Sequence, residues 1–172
     1  MIRLVNGRGQ LGSAMRGLIC EYETQTPDTT TTRIYHTWNP WDKSKEVQQT
    51  EYNTFIQYVD KHKDEKIIFV STYSQNDNYY VHYKQLAEAY LLTNHPTGVA
   101  VRLPNIIGKK GIVQKLKEGT VEPYGEMEII SLSCAARSVM DCVSYEGIKR
   151  LVTVRGHSIP ALVVYDLFAG TR

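Results

Sequence analysis

A tyrosine and a lysine four residues apart, Tyr80 and Lys84, form a pair of side chains that could transfer a proton during a redox reaction. Residues at i and i+4 of a helix lie on one face, so the phenol and the ammonium would be neighbours. The ammonium stabilises the phenolate, and such a tyrosine exchanges a proton when a hydride moves to or from a carbonyl carbon. The hydroxyl of Thr72, at the end of a strand-like run, could hold the same oxygen. The alternative is a packed surface tyrosine beside a solvated lysine.

The same spacing occurs a second time, at Tyr145 and Lys149. That segment contains Gly147, lies at a predicted helix end and follows no strand that ends in hydroxyl side chains. We therefore assign the proton chemistry to the first pair.

A glycine-rich turn follows the apolar run at residues 2–5. Its spacing is G-x-G-x-x-G, in which the first glycine permits a tight turn and the second lets the backbone approach a diphosphate. The third lets the next helix pack close to the strand, with its first N–H groups facing the anion. The spacing predicts a diphosphate-binding turn made of Gly7, Arg8, Gly9, Gln10, Leu11 and Gly12.

The elements that must position these groups alternate between strand and helix. We predict strands over 2–6, 33–37, 66–72, 99–103, 127–130 and 150–155. We predict helices over 10–22, 44–62, 78–93, 111–118, 133–145 and 160–169, with a loop over 24–32. Alternation at this spacing, with continuous apolar strands, predicts an α/β fold: a reduced Rossmann-like parallel sheet with helices on both faces and a small C-terminal lobe.

Length and charge exclude several classes of function. The 172 residues suit a single domain, in which we expect a dinucleotide-binding core over 1–105 and a small substrate-side lobe over 106–172. The net charge is only +2 and no basic stripe is visible, so we expect no nucleic-acid partner. The apolar runs are too short to span a membrane, and the first residues do not resemble a signal peptide.

The cysteine and histidine positions indicate no metal site. The three cysteines are Cys20, Cys134 and Cys142, and neither they nor the five histidines have metal-ligand spacing. We expect reduced, mostly buried thiols and a cytoplasmic protein.

Four segments, in order, resemble the extended short-chain dehydrogenase/reductase family of nucleotide-sugar epimerases, dehydratases and reductases. The similarity is greatest to its dTDP-4-dehydrorhamnose reductase branch. The segments are the turn Gly9–Gly12, the strand end Phe69–Thr72, the helix start Tyr80–Glu88 and the strand and loop Val101–Gly108.

The resemblance implies a role for each matching residue. Tyr80 would be the general acid/base, Lys84 would bind the nicotinamide ribose, and Thr72 would orient the substrate oxygen. Asn105 would lie near the phosphates of a nucleotide-sugar substrate, and the glycine turn would cradle the diphosphate of NAD or NADP. Arg8 would either meet a 2′-phosphate, which favours NADP, or be idle. Relatives of this type commonly pair, so a homodimer is expected.

The chain departs from the family in several ways. It is little more than half the usual length, and one loop replaces the usual second and third strands. The residue that reads the adenosine ribose is lost with those strands. Only seven residues separate Thr72 from Tyr80, where the family has a longer loop. The turn has lost one residue, or Asn6 replaces its first glycine.

These features leave three functions open. The first is an NAD(P)-dependent reductase or epimerase of a nucleotide-linked sugar. The second is a non-catalytic binding or structural subunit, of phage or viral type, which would use the twelve tyrosines at an interface. The third is a regulator that senses the cofactor without turnover. We expect the enzyme, because the catalytic residues keep the family's order.

Overall fold

The computed structural model of the chain describes residues 1–6, 9–25, 31–147 and 150–169. Within these residues the main sheet has five parallel strands, whose spatial order is their order along the chain. They are β1 (Ile2–Val5), β2 (Thr32–Tyr35), β3 (Lys66–Thr72), β4 (Val99–Leu103) and β7 (Leu151–Thr153). A second sheet in the described part of the chain contains β5 (Asn105–Ile107), β6 (Glu126–Ser131) and β8 (His157–Pro160).

The helices follow the predicted alternation, with two corrections. They are α1 (Gln10–Arg16), α2 (Ile19–Gln25), α3 (Lys45–Lys61), α4 (Tyr79–Asn94), α5 (Ile112–Lys117), α6 (Leu132–Asp141) and α7 (Ala161–Val164). The single helix predicted over 10–22 is two helices, separated by a turn at Gly17. The helix predicted over 160–169 is one short α-helical turn followed by the π-helical turn Tyr165–Ala169. None of the described helices combines the length and apolarity needed to cross a membrane.

Side-chain alternation along the strands gives the main sheet two apolar faces. Ile34 and Ile68 pack with α1, α2 and α6, whereas Tyr35 and Phe69 pack with α3 and α4. The predicted fold, a reduced Rossmann-like parallel sheet with helices on both faces, is confirmed. The strands β5 and β8 were not predicted, because strands this short carry too few residues to show a period.

The segment predicted as a substrate-side lobe contributes to both sheets. It supplies β5, β6 and β8, but also β7, which pairs with β4 in the main sheet. Its helix α6 packs on the main sheet through residues such as Val139 and Met140. The small sheet therefore begins immediately after β4, at Asn105.

Aromatic side chains fill the face of the main sheet that α3 and α4 cover. Phe55 and Phe69 have ring centroids 4.5 Å apart, and Tyr35 meets Phe55 edge-to-face at 4.9 Å. Trp38 lies 5.6 Å from Phe69, and its indole N–H donates to Gln48 at 2.7 Å. Such pairs add about 0.5–1.5 kcal/mol each beyond their buried area. Together these rings form a tightly packed aromatic cluster around Phe69, near the carboxyl end of β3.

Helix α2 contributes a side chain to the outer edge of β1, the strand at the end of the sheet. The Glu23 carboxylate accepts a hydrogen bond from the backbone N–H of Ile2 at 2.6 Å. The hydroxyl of the preceding residue, Tyr22, donates to Asp141 of α6. Burial, and then Asp141, raise the pKa of Tyr22 to about 12, so this phenol stays protonated at neutral pH. Edge strands need such cover because their unpaired backbone groups otherwise bind other chains.

Replacing Glu23 by alanine should therefore destabilise the fold by about 1–2 kcal/mol, because the N–H of Ile2 loses a charge-assisted hydrogen bond. Urea unfolding measures the change. The matched control is Glu21→Ala, which removes an exposed ion pair to Arg137 at 3.5 Å and should cost less than about 0.5 kcal/mol. Equal losses in the two variants would contradict the covering role of Glu23.

The cysteines differ from the expected burial at two of the three positions. Cys142 is buried, and burial raises the pKa of its thiol to about 11. Cys20 and Cys134 are exposed. The prediction was wrong for these two because each lies on a helix face that the sheet does not cover.

Candidate active site

The parallel strands of the main sheet bring their carboxyl ends to one edge, where ligands bind in open α/β sheets. The glycine turn follows β1, His36 follows β2, Thr72 ends β3 and Arg155 follows β7 closely. In the register of the sheet, Tyr35 pairs with both Val5 and Phe69. His36, the next residue, therefore lies near Asn6 on one side and near Val70 of β3 on the other.

Tyr80 and Lys84 lie in the first turns of α4, directly over this edge. The N-cap of this helix is Asn78, whose side chain accepts a hydrogen bond from the N–H of Val81 at 3.0 Å. This cap fixes the start of the helix and hence the position of its first turn. The Lys84 ammonium lies 5.3 Å from the centroid of the Tyr80 ring, so the phenol and the cation are neighbours.

Lys84 is buried, with 4% of its surface exposed. Its ammonium donates to the carbonyl of Val70 at 3.0 Å and also lies within 6 Å of the rings of Phe69 and Trp38, at 5.5 and 5.7 Å. Cation–π contacts compensate in part for lost hydration. The alternative of a solvated lysine is therefore wrong. A buried cation with one hydrogen bond to the described residues keeps N–H donors available for a ligand oxygen.

The two hydroxyl groups at the end of β3 face opposite sides of the sheet. Strand alternation puts Ser71 on the face of Phe69, towards α4, and Thr72 on the face of Val70. The Thr72 hydroxyl accepts a hydrogen bond from the N–H of Ser74 at 3.1 Å. The Ser71 hydroxyl is buried and has no hydrogen-bond partner among the described residues. Ser71, which the sequence analysis did not select, thus lies on the same side as Lys84.

His36 is a second residue that the sequence analysis missed. Its Nε2 atom is buried without a hydrogen-bond partner in the described part of the chain. Burial lowers the pKa of His36, and the charges of Lys84 and Arg16 lower it further, so the ring is neutral at neutral pH. Its position directly after a strand that ends at this edge was the available signal.

The glycine turn is described only in part. Gly7 and Arg8, two of the predicted cofactor contacts, lie outside the described residues. Gly9 has extended backbone angles, and a Cβ placed on it would meet nothing within 4 Å. Space therefore remains open beside Gly9, while Gly12 is buried in α1 and Leu11 packs on the core.

Gln10 connects the turn to the loop after β5. Its side-chain amide donates to the carbonyl of Lys110 and accepts from the N–H of the same residue, both at 3.3 Å. A Cβ on Gly108 would lie 2.5 Å from the Gln10 Oε1 atom, so a larger residue at position 108 would displace the Gln10 side chain from this contact. The side chain of Gln10 is occupied by the protein, which leaves only its backbone for a diphosphate.

Asn105 and Arg155 lie where β4 and β7 lead into the small sheet. The Asn105 side chain is exposed and donates to the carbonyl of Glu128 at 3.4 Å. The Arg155 guanidinium lies 4.8 Å from the ring of Tyr73, donates to the Tyr73 hydroxyl, and has its Nε 3.3 Å from the Glu128 carboxylate. This contact joins the segment after Thr72 to the small sheet.

A cavity of about 790 Å³ lies at the opposite, amino-terminal edge of the main sheet. Two cations line it: Lys66 donates to the carbonyls of Val143 and Tyr145, and Arg150 donates to carbonyls at the end of α4. Both cations bind carbonyl groups at or just after the end of a helix, as basic side chains often do at helix C-termini. The candidate catalytic residues lie at the other edge of the sheet, so the size of a cavity does not by itself locate the site. No three His, Cys, Asp or Glu side chains cluster for a metal within the described ranges.

Solved structures with the same fold exist, although the sequence matches no family model and no curated protein. A nucleoside-diphosphate-sugar epimerase from Staphylococcus aureus has a TM-score of 0.71 and 15% identity over 98% of this chain and 76% of its own. The Bordetella bronchiseptica enzyme WbmG, solved with NAD and UDP, has a TM-score of 0.68 and 12% identity over 96% and 76%. A dTDP-4-dehydrorhamnose reductase from Clostridium acetobutylicum has a TM-score of 0.65 and 14% identity, over 96% of this chain and 79% of its own.

At these identities the likeness establishes the fold. The similar structures are extended short-chain dehydrogenases/reductases, the family that the four sequence segments resemble. The chain therefore has the fold of the extended short-chain dehydrogenase/reductase family.

Proposed function

We propose that the chain is an NAD(P)-dependent oxidoreductase of a nucleotide-linked sugar, acting as a reductase or an epimerase. The observation that carries the proposal is the buried ammonium of Lys84 beside the Tyr80 ring, at the carboxyl edge of a parallel sheet. Similarly folded proteins include an epimerase, a reductase and an enzyme solved with NAD and UDP. The proposal includes a cytoplasmic location and a homodimer.

The residues at the edge fit the nicotinamide part of such a cofactor. Space is open beside Gly9, where a diphosphate would approach the backbone, and Lys84 has N–H donors for ribose hydroxyls. A bound reduced nicotinamide supplies a hydride to a carbonyl carbon. The protein supplies position and proton transfer.

Tyr80 performs the proton transfer in this proposal. Its hydroxyl gives a proton to the substrate oxygen as the carbonyl carbon is reduced, and its oxygen takes the proton back in the reverse direction. The Lys84 ammonium stabilises the phenolate that is left. A hydroxyl at the end of β3, from Thr72 or Ser71, orients the substrate oxygen, and Asn105 lies on the side of the small sheet where substrate phosphates would bind.

Replacing Lys84 by methionine separates function from stability. Methionine fits among Trp38, Phe69 and Tyr80 without a buried charge, which offsets the loss of the hydrogen bond to the Val70 carbonyl, so the free energy of unfolding should change little. Loss of a charge-assisted hydrogen bond should weaken NADH binding by roughly 10–150-fold. Nicotinamide fluorescence measures binding and urea unfolding measures stability.

Lys109→Met, at an exposed position, is the matched control and should change neither quantity. If wild-type protein binds neither NADH nor NADPH at millimolar concentration, the proposal is wrong. Keto sugars linked to UDP or dTDP then test turnover. Net loss of nicotinamide absorbance identifies a reductase, and interconversion of sugars without net loss identifies an epimerase.

The non-catalytic subunit remains the second candidate, because the described residues provide no strand outside β1 and thus a smaller cofactor site. That candidate predicts a stable complex with a partner that is unaffected by Tyr80→Phe. A cofactor sensor predicts binding without oxidation by any sugar.

A further inference from the structure

The outer edge of β1 pairs with no strand among the described residues, and a side chain of α2 caps its amino-terminal end. Main-chain pairing joins β1 to β2 on one side, from Ile2 with Thr32 to Val5 with Tyr35. On the other side, the carboxylate of Glu23 in α2 accepts a hydrogen bond from the N–H of Ile2, which would otherwise be free to pair with a neighbouring strand. Helix α2 is held in this place by the Tyr22–Asp141 hydrogen bond to α6.

The position of α1 and α2 indicates that the main sheet corresponds to one half of a doubly wound parallel sheet. The order β1-β2-β3-β4-β7 steps in a single direction, yet α1 and α2 pack on the face opposite to α3 and α4. The β1–β2 connection therefore has the opposite hand to the β2–β3 connection. Parallel crossovers are right-handed in nearly all proteins. Helix α1 packs where a right-handed connection to a strand outside β1 would place it.

Dinucleotides bind across two such half-sheets, one for each mononucleotide, where the strand order reverses. In the described residues the strand order does not reverse. The half that holds Tyr80 and Lys84 is present. Between β1 and β2 the described residues contain two helices and no strand, so none of them supplies the second strand end whose acidic residue holds the adenosine ribose in two-sided dinucleotide sites.

Glu23 does not replace that acidic residue. Its carboxylate is engaged at Ile2, the first residue of β1, whereas the ligand edge lies beyond Val5 at the other end of the strand. The Asn6 backbone, with φ of 54°, already turns away from the strand at that point.

We infer that the chain binds its cofactor through the nicotinamide, ribose and diphosphate alone, with the adenosine held by no half-sheet. The inference rests on the proposed function and specifies its cofactor. Such a site distinguishes NAD from NADP poorly, because the 2′-phosphate belongs to the adenosine part. Its cofactor exchanges readily, which suits a net reduction in which spent cofactor leaves after each turnover.

The test compares three reduced ligands on the wild-type chain: NADH, NADPH and reduced nicotinamide mononucleotide. Fluorescence titration should give dissociation constants for NADH and NADPH within about threefold of each other. The mononucleotide keeps the nicotinamide, its ribose and one of the two phosphates, so its dissociation constant should lie within about tenfold of that for NADH. Lys84→Met should weaken NADH and the mononucleotide by the same factor, and AMP should displace neither.

A preference of more than about a hundredfold for NADH over the mononucleotide would overturn the inference and leave the proposed function intact. Strong preference for NADPH would also overturn it, because the chain would then recognise the 2′-phosphate of the adenosine part. Failure of all three ligands to bind would overturn the inference together with the proposed function.

Discussion

Tyr80→Phe should lower kcat for reduction of a nucleotide-linked keto sugar by about 10²–10⁴-fold, the usual contribution of a positioned general acid. The substitution removes one hydroxyl and keeps the ring that packs near the Lys84 ammonium. Binding of reduced nicotinamide should stay unchanged, because the contact of Lys84 with the Val70 carbonyl is retained. Steady-state kinetics and fluorescence titration together measure the two effects.

Tyr79→Phe is the matched control for this substitution. Tyr79 is the preceding residue of α4, and 47% of its surface is exposed. It carries the same phenol in the same helical turn but points away from Lys84 and from the aromatic cluster around Phe69. If both variants keep full activity, Tyr80 is not the acid, and the hydroxyl of Ser71 becomes the first alternative to examine.

Arg102→Met should destabilise the fold by about 3–5 kcal/mol, the cost of leaving a buried carboxylate without its partner. Arg102 of β4 holds the Glu88 carboxylate of α4 through hydrogen bonds of 2.6, 3.0 and 3.1 Å. The Glu88 side chain is only 4% exposed, so water cannot replace the guanidinium. Urea or thermal unfolding measures the loss.

The double variant Arg102→Met with Glu88→Gln should recover most of that stability, since no buried charge remains. Lys63→Met is the surface control: its ammonium lies 3.7 Å from Asp60 in an exposed pair, and its removal should cost less than about 1 kcal/mol. A loss at Arg102 as small as the loss at Lys63 would contradict a buried, paired role for Glu88.

The ion pair also bears on the candidate site. Glu88 lies one helical turn after Lys84, so its contact with β4 fixes how α4 lies along the sheet. The Glu88–Arg102 pair thus holds Lys84 over the carbonyl of Val70. It connects two segments, Tyr80–Glu88 and Val101–Gly108, that the sequence showed only as separate motifs.

Local sequence signals predicted most of the main sheet and the helices around it. The strand at 66–72 and the helix that begins at Asn78 were correct in type and close in extent. Both depend on neighbouring residues: a continuous apolar run in the first, and a cap followed by helical spacing in the second. The short strands β5 and β8 were missed because three or four residues are too few to show a period.

The sequence by itself determined the strand–helix alternation, the position of the glycine turn and the one-turn spacing of Tyr80 and Lys84. These features follow from the backbone preferences of residues a few positions apart. It also indicated that the usual second and third strands were missing, since too few residues separate the first helix from the next strand.

The tertiary structure alone decided the environment of those residues. It buried Lys84 among three aromatic rings, turned Ser71 rather than Thr72 towards α4, and joined Arg155 to Tyr73 across 82 residues. It also placed Glu23 on the outer edge of β1. Burial and long-range contacts arise only when whole faces pack together, so no local pattern of residue types contains them.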